Sequence, residues 1–323
     1  MTMTETTKLE AKVLLLEHDP EQLSQLRAFC EDVGLMVLEC PADDVPQTLK
    51  AHQDLAGVFI SEALLDGDDG AWPLVVEIHQ RRAELPIFLR RKDQRTLDVR
   101  EQNALRHQWT PDTFDTLHEA VDRAIFSLRY PKALMEGVTK LSVEGLSAMF
   151  PNAEVTADKP YVVHDRLIYG EVSTLIALES SWCRGYMMLQ TEEDSLRVGL
   201  MEGLSYEGIG GDLNFRELNN MLAETTNLIW GAFKNRYIPP KAFAKAQTQV
   251  PIVINHQHKY ITFGSPDPQL CIRYRLRDKN RPDAKPLLIV QRFIFNLLWN
   301  PHEYEEFVEQ APEAPPTGEL ELF

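Results

Sequence analysis

The segment from Asn214 to Tyr237, NFRELNNMLAETTNLIWGAFKNRY, holds the residues best placed to do chemistry. Residues three apart on a helix share a face, so Glu224 and Asn227 project together. Gly231 and Lys234 continue that stripe, seven and ten positions beyond Glu224. An amide offers a hydrogen-bond donor and an acceptor at one place, which is what orienting a water molecule requires. The plain structural reading is a solvated Glu and Asn on an exposed helix face, and it accounts for most Glu-x-x-Asn occurrences. Glu217 and Asn220 make a second such pair one heptad earlier. The register of Glu224 and Asn227 is chosen because it alone brings Gly231 and Lys234 into line.

Other residues with chemical potential are weaker candidates. Arg273, Arg275 and Arg277 recur at every second position, so a strand aims all three at one face. Lys279 and Arg281 follow. In an acidic protein such a stripe can steer or bind an acidic partner surface. Its plain reading is the water-facing side of an antiparallel strand. His256 and His258 share a strand face, but no third metal ligand stands at a sensible spacing, and a turn between strands is the simpler account. Gly208, Gly210 and Gly211 are not followed by the Lys-Ser/Thr of a phosphate loop and read as a connection. Cys30, Cys40, Cys183 and Cys271 are scattered without a CxxC pair, as core residues of a reducing compartment are.

The elements that must position these groups fall into two halves. The 44% apolar and 25% charged composition is that of a soluble globular protein, and 323 residues suit two domains. A net charge of -16 argues against nucleic-acid binding and against an anionic membrane surface. The polar start MTMTETTKLE is not a signal peptide, and no apolar run is long enough to span a membrane, so a cytoplasmic protein is expected. Residues 1–10 are expected to be disordered. Across 11–130, strand-like runs (Lys12–Glu17, Leu35–Leu38, Gly57–Ser61, Pro86–Leu89) alternate with helical patterns (Pro20–Val33, Trp72–Arg82, Phe114–Arg129), which predicts a doubly wound parallel sheet. Pro131 breaks the last helix and sets the boundary. From 131 to 302 the spacing predicts a long helix ending at Pro151, strands over Leu167–Leu178 and Cys183–Leu189, and a helix over Leu196–Leu204. The helix of Asn214–Lys234 follows, then antiparallel strands over Val250–Asn255, Lys259–Phe263, Gln269–Arg277 and Leu287–Phe295. Residues 303–323 read as an acidic, proline-containing linker.

Two resemblances gather these features. Lys12–Pro20 (KVLLLEHDP) and Gly57–Gly70 (GVFISEALLDGDDG) resemble response-regulator receiver domains, a likeness that extends over 12–126. In that family acidic residues hold Mg²⁺, an Asp accepts the phosphoryl group, and a Thr or Ser and a Lys contact it. Here Glu17 and His18 fall at the acidic positions, Glu62 at the phosphorylated Asp, Arg91 at the Thr/Ser and Thr110 at the Lys. Glu is no usual acyl-phosphate acceptor, His removes a hard oxygen ligand, and Thr removes a counter-charge. The resemblance therefore implies a pseudo-receiver that is not phosphorylated and serves as a docking or dimerisation module. An alternative is that Glu62 mimics the phosphorylated state by its permanent charge.

The helix of Glu224 and Asn227 resembles the signature of CheX/CheC/FliY phosphatases, roughly (D/S)xxxExxNxxxGNxxK. Met135–Phe150 and Val250–Asn255 resemble that family's first long helix and its Pro-containing strand. Asn220 falls at the Asp/Ser position and Ala232 replaces the Asn after the glycine. The resemblance implies a domain with an antiparallel sheet and two long helices that dephosphorylates the phospho-aspartate of a partner CheY-like regulator. Asn227 would orient the attacking water and Glu224 would pair with the partner's Lys. The partner supplies Mg²⁺, so no cofactor of its own is expected, and relatives of this kind often form homodimers. The competing reading is a non-catalytic adaptor that binds regulators through both halves. The final residues Glu319, Leu320, Glu321, Leu322 and Phe323 resemble the QLxLF peptides that bind the bacterial sliding clamp, with Glu in place of Gln. A frayed tail is their plain reading.

Overall fold

A computed structural model describes residues 9–66, 69–93, 95–164, 167–168, 171–205, 215–238, 251–255, 261–262, 267–303 and 305–306. Gly208, Gly210, Gly211, His256, His258 and Glu319–Phe323 lie outside them.

The first half alternates as its apolar runs predict: β1 (Glu10–Leu16), α1 (Pro20–Val33), β2 (Leu35–Glu39), α2 (Val45–Ala51), β3 (Leu55–Ser61), α3 (Trp72–Arg81), β4 (Ile87–Arg90), α4 (Val99–Ala104), β5 (His107–Trp109) and α5 (Thr116–Ala124). All its strands pair in parallel, in the order β2-β1-β3-β4-β5. β3 is buried along its whole length, as a central strand covered on both faces must be. Asp19 caps α1 by accepting from the Glu21 and Gln22 amides. β1 starts at Glu10 and Leu9 is already buried, so order begins before the expected boundary at 11.

The second half comprises α6 (Lys132–Met149), β6 (Ala153–Ala157), β7 (Tyr161–Val163), β8 (Leu167–Ile168), β9 (Val172–Glu179), β10 (Cys183–Thr191), α7 (Glu193–Met201), α8 (Phe215–Tyr237), β11 (Ile252–Asn255), β12 (Ile261–Thr262), β13 (Gln269–Asp278) and β14 (Leu287–Trp299). The single strand expected over Leu167–Leu178 is two: β8 pairs with β12, whereas β9 joins β10 and β11 in the main sheet. The order β11-β9-β10-β14-β13 is antiparallel throughout. A 3-10 turn over Pro301–Glu303 and an ion pair from Glu306 to Arg236 hold the chain where a linker was expected to begin.

The halves are joined through one strand. β7 pairs antiparallel with β13 and parallel with the start of β1, placing Glu10 and Ala11 opposite Tyr161 and Val162. The result is a single sheet of twelve strands. One hydrophobic cluster runs from Ala11, Val13 and Phe59 through Tyr130 to Trp182, Phe233 and Phe293, and a second covers the other face of the parallel sheet.

Candidate functional site

α8 owes its orientation to a continuous apolar stripe. Leu218, Leu222, Ile229, Trp230, Phe233 and Tyr237 are buried, at the spacing of one helix face. Trp230 stacks on Phe233, which meets Tyr237 at a tilt and also contacts Phe293 of β14. The Trp182 indole donates to the Tyr237 carbonyl at 2.9 Å, satisfying one of the helix's terminal acceptors. Two buried threonines flank the candidate pair. Thr225 and Thr226 bond back to the Met221 and Leu222 carbonyls, and Thr226 also reaches Thr174 of β9.

α6 crosses α8 closely because two of its residues lack side chains. A Cβ on Gly145 would stand 2.7 Å from Ile229 Cγ1, and one on Gly137 would overlap the Tyr237 hydroxyl. This approach, together with β9 beneath, fixes the opposite face of α8 toward solvent.

Glu224, Asn227 and Asn220 are all exposed on that face. Among the described residues, neither Glu224 nor Asn227 makes a hydrogen bond or ion pair. Gly231 lies on the same stripe, and a Cβ built on it meets nothing within 4 Å. Among the described residues no contact requires glycine there, and the bare backbone is presented outward. Lys234 is half-buried beyond it, and Leu228, beside Asn227, is 43% exposed. Glu217 is exposed too, so exposure alone does not choose between the two Glu-x-x-Asn registers.

The degenerate pocket lies at the carboxyl ends of β1, β3 and β4, and arginines fill it. The Glu17 side chain, 2% exposed, is held by Arg90 through Nε to Oε2 at 2.5 Å and Nη2 to Oε1 at 2.7 Å. Its Oε1 also accepts from the His18 and Asp19 amides, and Arg90 reaches Ser61 Oγ. The carboxylate at an acidic position is thus engaged by a guanidinium, while His18 is exposed. Glu62 follows β3. Its Oε1 accepts from Arg91 Nη1 at 2.9 Å and its Oε2 from the Lys92 amide at 3.2 Å. The other arm of Arg91 donates to Glu101 at 2.6 Å. Gly70, at φ 49°, lets the loop after Glu62 return so that the Ala71 amide bonds the Glu62 carbonyl, where a Cβ would collide at 2.5 Å. Thr110 is buried, and its amide is satisfied by Thr113 Oγ1. Glu62 is therefore a paired carboxylate whose side chain stays one-third exposed.

Sequence reasoning missed Arg90, Arg95 and Glu101. For Glu101 a signal was present: Asp98-x-x-Glu101 forms a capping box with both of its reciprocal bonds.

The arginine stripe of β13 shares one face, but two of its members are engaged within the chain. Arg275 clasps Asp158 with two bonds of 2.9 Å. Arg273 stands 3.7 Å from Asp54 and 5.6 Å over the Tyr161 ring. Arg273 thus reaches across to the first half, whereas Arg275 pairs within the second, and Arg277 alone of the three is exposed.

No protein-family model and no curated protein matches the chain. Among solved structures it is similar to a putative chemotaxis protein from Desulfovibrio vulgaris Hildenborough (19% identity over 49% of this chain and 94% of that one, TM-score 0.36). It is similar also to a chemotaxis protein CheX from Desulfovibrio desulfuricans (16%, 49% and 96%, TM-score 0.35). A further match is the signal receiver domain of a modulated diguanylate cyclase from Desulfovibrio desulfuricans G20 (21%, 36% and 95%, TM-score 0.30). These likenesses are of fold, to CheX-like and receiver-like architectures.

Proposed function

We propose that this protein acts in two-component or chemotaxis-type signalling, removing the phosphoryl group from the phospho-aspartate of a partner's receiver domain. The observation that carries the reading is the unengaged, exposed pair of Glu224 and Asn227 beside the bare backbone of Gly231. An acyl phosphate is an activated bond, so its hydrolysis needs chiefly a water in line with phosphorus and compensation of charge. Asn227 holds that water with its amide. The water oxygen bonds to phosphorus, the bond to the aspartate oxygen breaks with its electron pair, and the water's proton leaves to solvent or to the phosphate. The products are inorganic phosphate and a free Asp carboxylate. Glu224 pairs with the partner's active-site Lys and sets the docking register. Mg²⁺ belongs to the partner.

A second reading, a non-catalytic adaptor, draws on Ala232, which takes the place of a second amide in the signature, and on the self-neutralised pocket of the first half. Mixing the full-length protein with a panel of ³²P-labelled receivers separates the two. The phosphatase reading expects one receiver to lose label faster, with Asn227→Ala reducing the acceleration about 100-fold and Asn220→Ala retaining most of it. A receiver that binds without losing label any faster would establish the adaptor. The opposite ranking of the two variants would move the site to Glu217 and Asn220.

A further inference from the structure

α4 is six residues long, and its one buried residue is Glu101. A helix of that length does not persist without tertiary support. The usual support, an apolar stripe on a core, is thin here. Val99 is 73% exposed, Ala104 only touches the edge of the second cluster, and Leu105, just past the helix, is its first fully buried apolar residue. Beside the first turn of α4 lies an open pocket of about 220 Å³ lined by Glu62, Trp72, Leu89, Arg91, Arg95 and Glu101, among others. Apolar seating of this segment is thus confined to its two flanks, Leu97 before the helix and Ala104 and Leu105 at its end.

What spans the gap is charge. Glu101 accepts from Arg91 Nη2 at 2.6 Å, from Arg95 Nη1 at 3.2 Å and from the Asp98 amide at 3.0 Å. Arg91 is 2% exposed, and its second arm is on Glu62 at the end of β3. We propose that α4 is a flap latched by the Glu101–Arg91 ion pair over the cavity at the end of β3, and that loss of this pair frees α4 while the rest of the sheet stays closed. An element seated by apolar residues opens only with the core. One seated by a charge pair opens at the cost of that pair, offset by hydration of both ions. A single guanidinium bridges Glu62 and Glu101, one nitrogen to each, so a shift of either carboxylate is felt by the other. The degenerate pocket is thereby wired to α4 without phosphorylation.

Hydrogen exchange on the full-length protein tests the latch. Glu101→Gln removes the charge but keeps a side chain that serves the capping box equally well. It is expected to speed exchange of the amides from Val99 to Leu105 about tenfold, leaving those of α8 and β13 within about twofold of the parent. Arg95→Ala, at a half-exposed position remote from the core, removes one of the two cations on Glu101 and is expected to give a smaller acceleration confined to the same amides. It decides the matter should Glu101→Gln not fold. Leu105→Ala, which cuts the apolar anchor and keeps the pair, is expected to act less than Glu101→Gln. The latch is refuted if both charge variants leave α4 unchanged, if Leu105→Ala exceeds Glu101→Gln, or if all amides accelerate by a common factor.

Discussion

At the scale of single residues, arginine decides what the first half can do. Glu17 and Glu62 stand at the carboxyl ends of β1 and β3, and each faces a guanidinium from β4 or the residue after it. Restoring the acceptor alone is therefore insufficient. Glu62→Asp treated with acetyl phosphate is expected to show no stable mass gain of one phosphoryl group, because Arg91 and Arg90 still occupy the pocket; a stoichiometric gain would contradict this account. On α8, Gly231 separates stability from function. Gly231→Ala replaces a glycine in open space within a helix, so it should stabilise the fold by about 0.4–1 kcal/mol by denaturant titration. The same methyl group stands on the face offered to a partner, and receiver dephosphorylation should fall about tenfold. Unchanged turnover would place the partner elsewhere. Positions 17, 62, 224 and 227 were legible because motif spacing marks them. Arg90 was not, since its partner Glu17 is 73 residues away and a pairing over that distance leaves no local pattern.

Elements show where packing rather than propensity sets geometry. α6 and α8 approach through glycines, so Gly145→Ala should drive Ile229 off its seat and cost roughly 1–3 kcal/mol, read as a shifted denaturation midpoint. A neutral result would mean that the helices relax apart freely. α4 responds instead to pH. Burial pulls the Glu101 carboxyl upward, but the Asp98 amide, Arg91 and Arg95 outweigh it, and its pKa lies below the ordinary carboxylate value. A depressed folded value means that the contribution is complete above the ordinary carboxylate range and is lost as pH falls through the lower one. Acid titration followed by NMR should therefore loosen Val99–Ala104 before the parallel sheet melts; simultaneous loss would argue against charge as the anchor. The long, periodic elements α1, α3, α6 and α8 were readable in the sequence. α4, β5, β6 and β7 were not, because three to six residues with mixed polarity carry no period.

At the scale of the whole molecule, the two halves share one sheet. β7 stitches β13 to β1, the Trp299 indole donates to the Arg129 carbonyl at 3.0 Å, and Arg273 meets Asp54 across the same joint. With a core cluster common to both halves, calorimetry is expected to show a single unfolding transition. Two well-separated transitions would show that the joint is weaker than its contacts suggest. Among the described residues no helix is long and apolar enough to cross a membrane.

The sequence by itself determined the two architectures and the shared face of Glu224 and Asn227, because helix and strand periodicities act over a few residues; the last helix of the first half, expected to reach Arg129, ends instead at Ala124. Only the tertiary structure decided that the halves share one sheet, that Arg273 of β13 meets Asp54 across the joint, and that Glu17 and Glu62 are held by Arg90 and Arg91. Those outcomes depend on which distant strands pair and which charges meet, and chain-distant contacts are chosen by the packing of the whole fold.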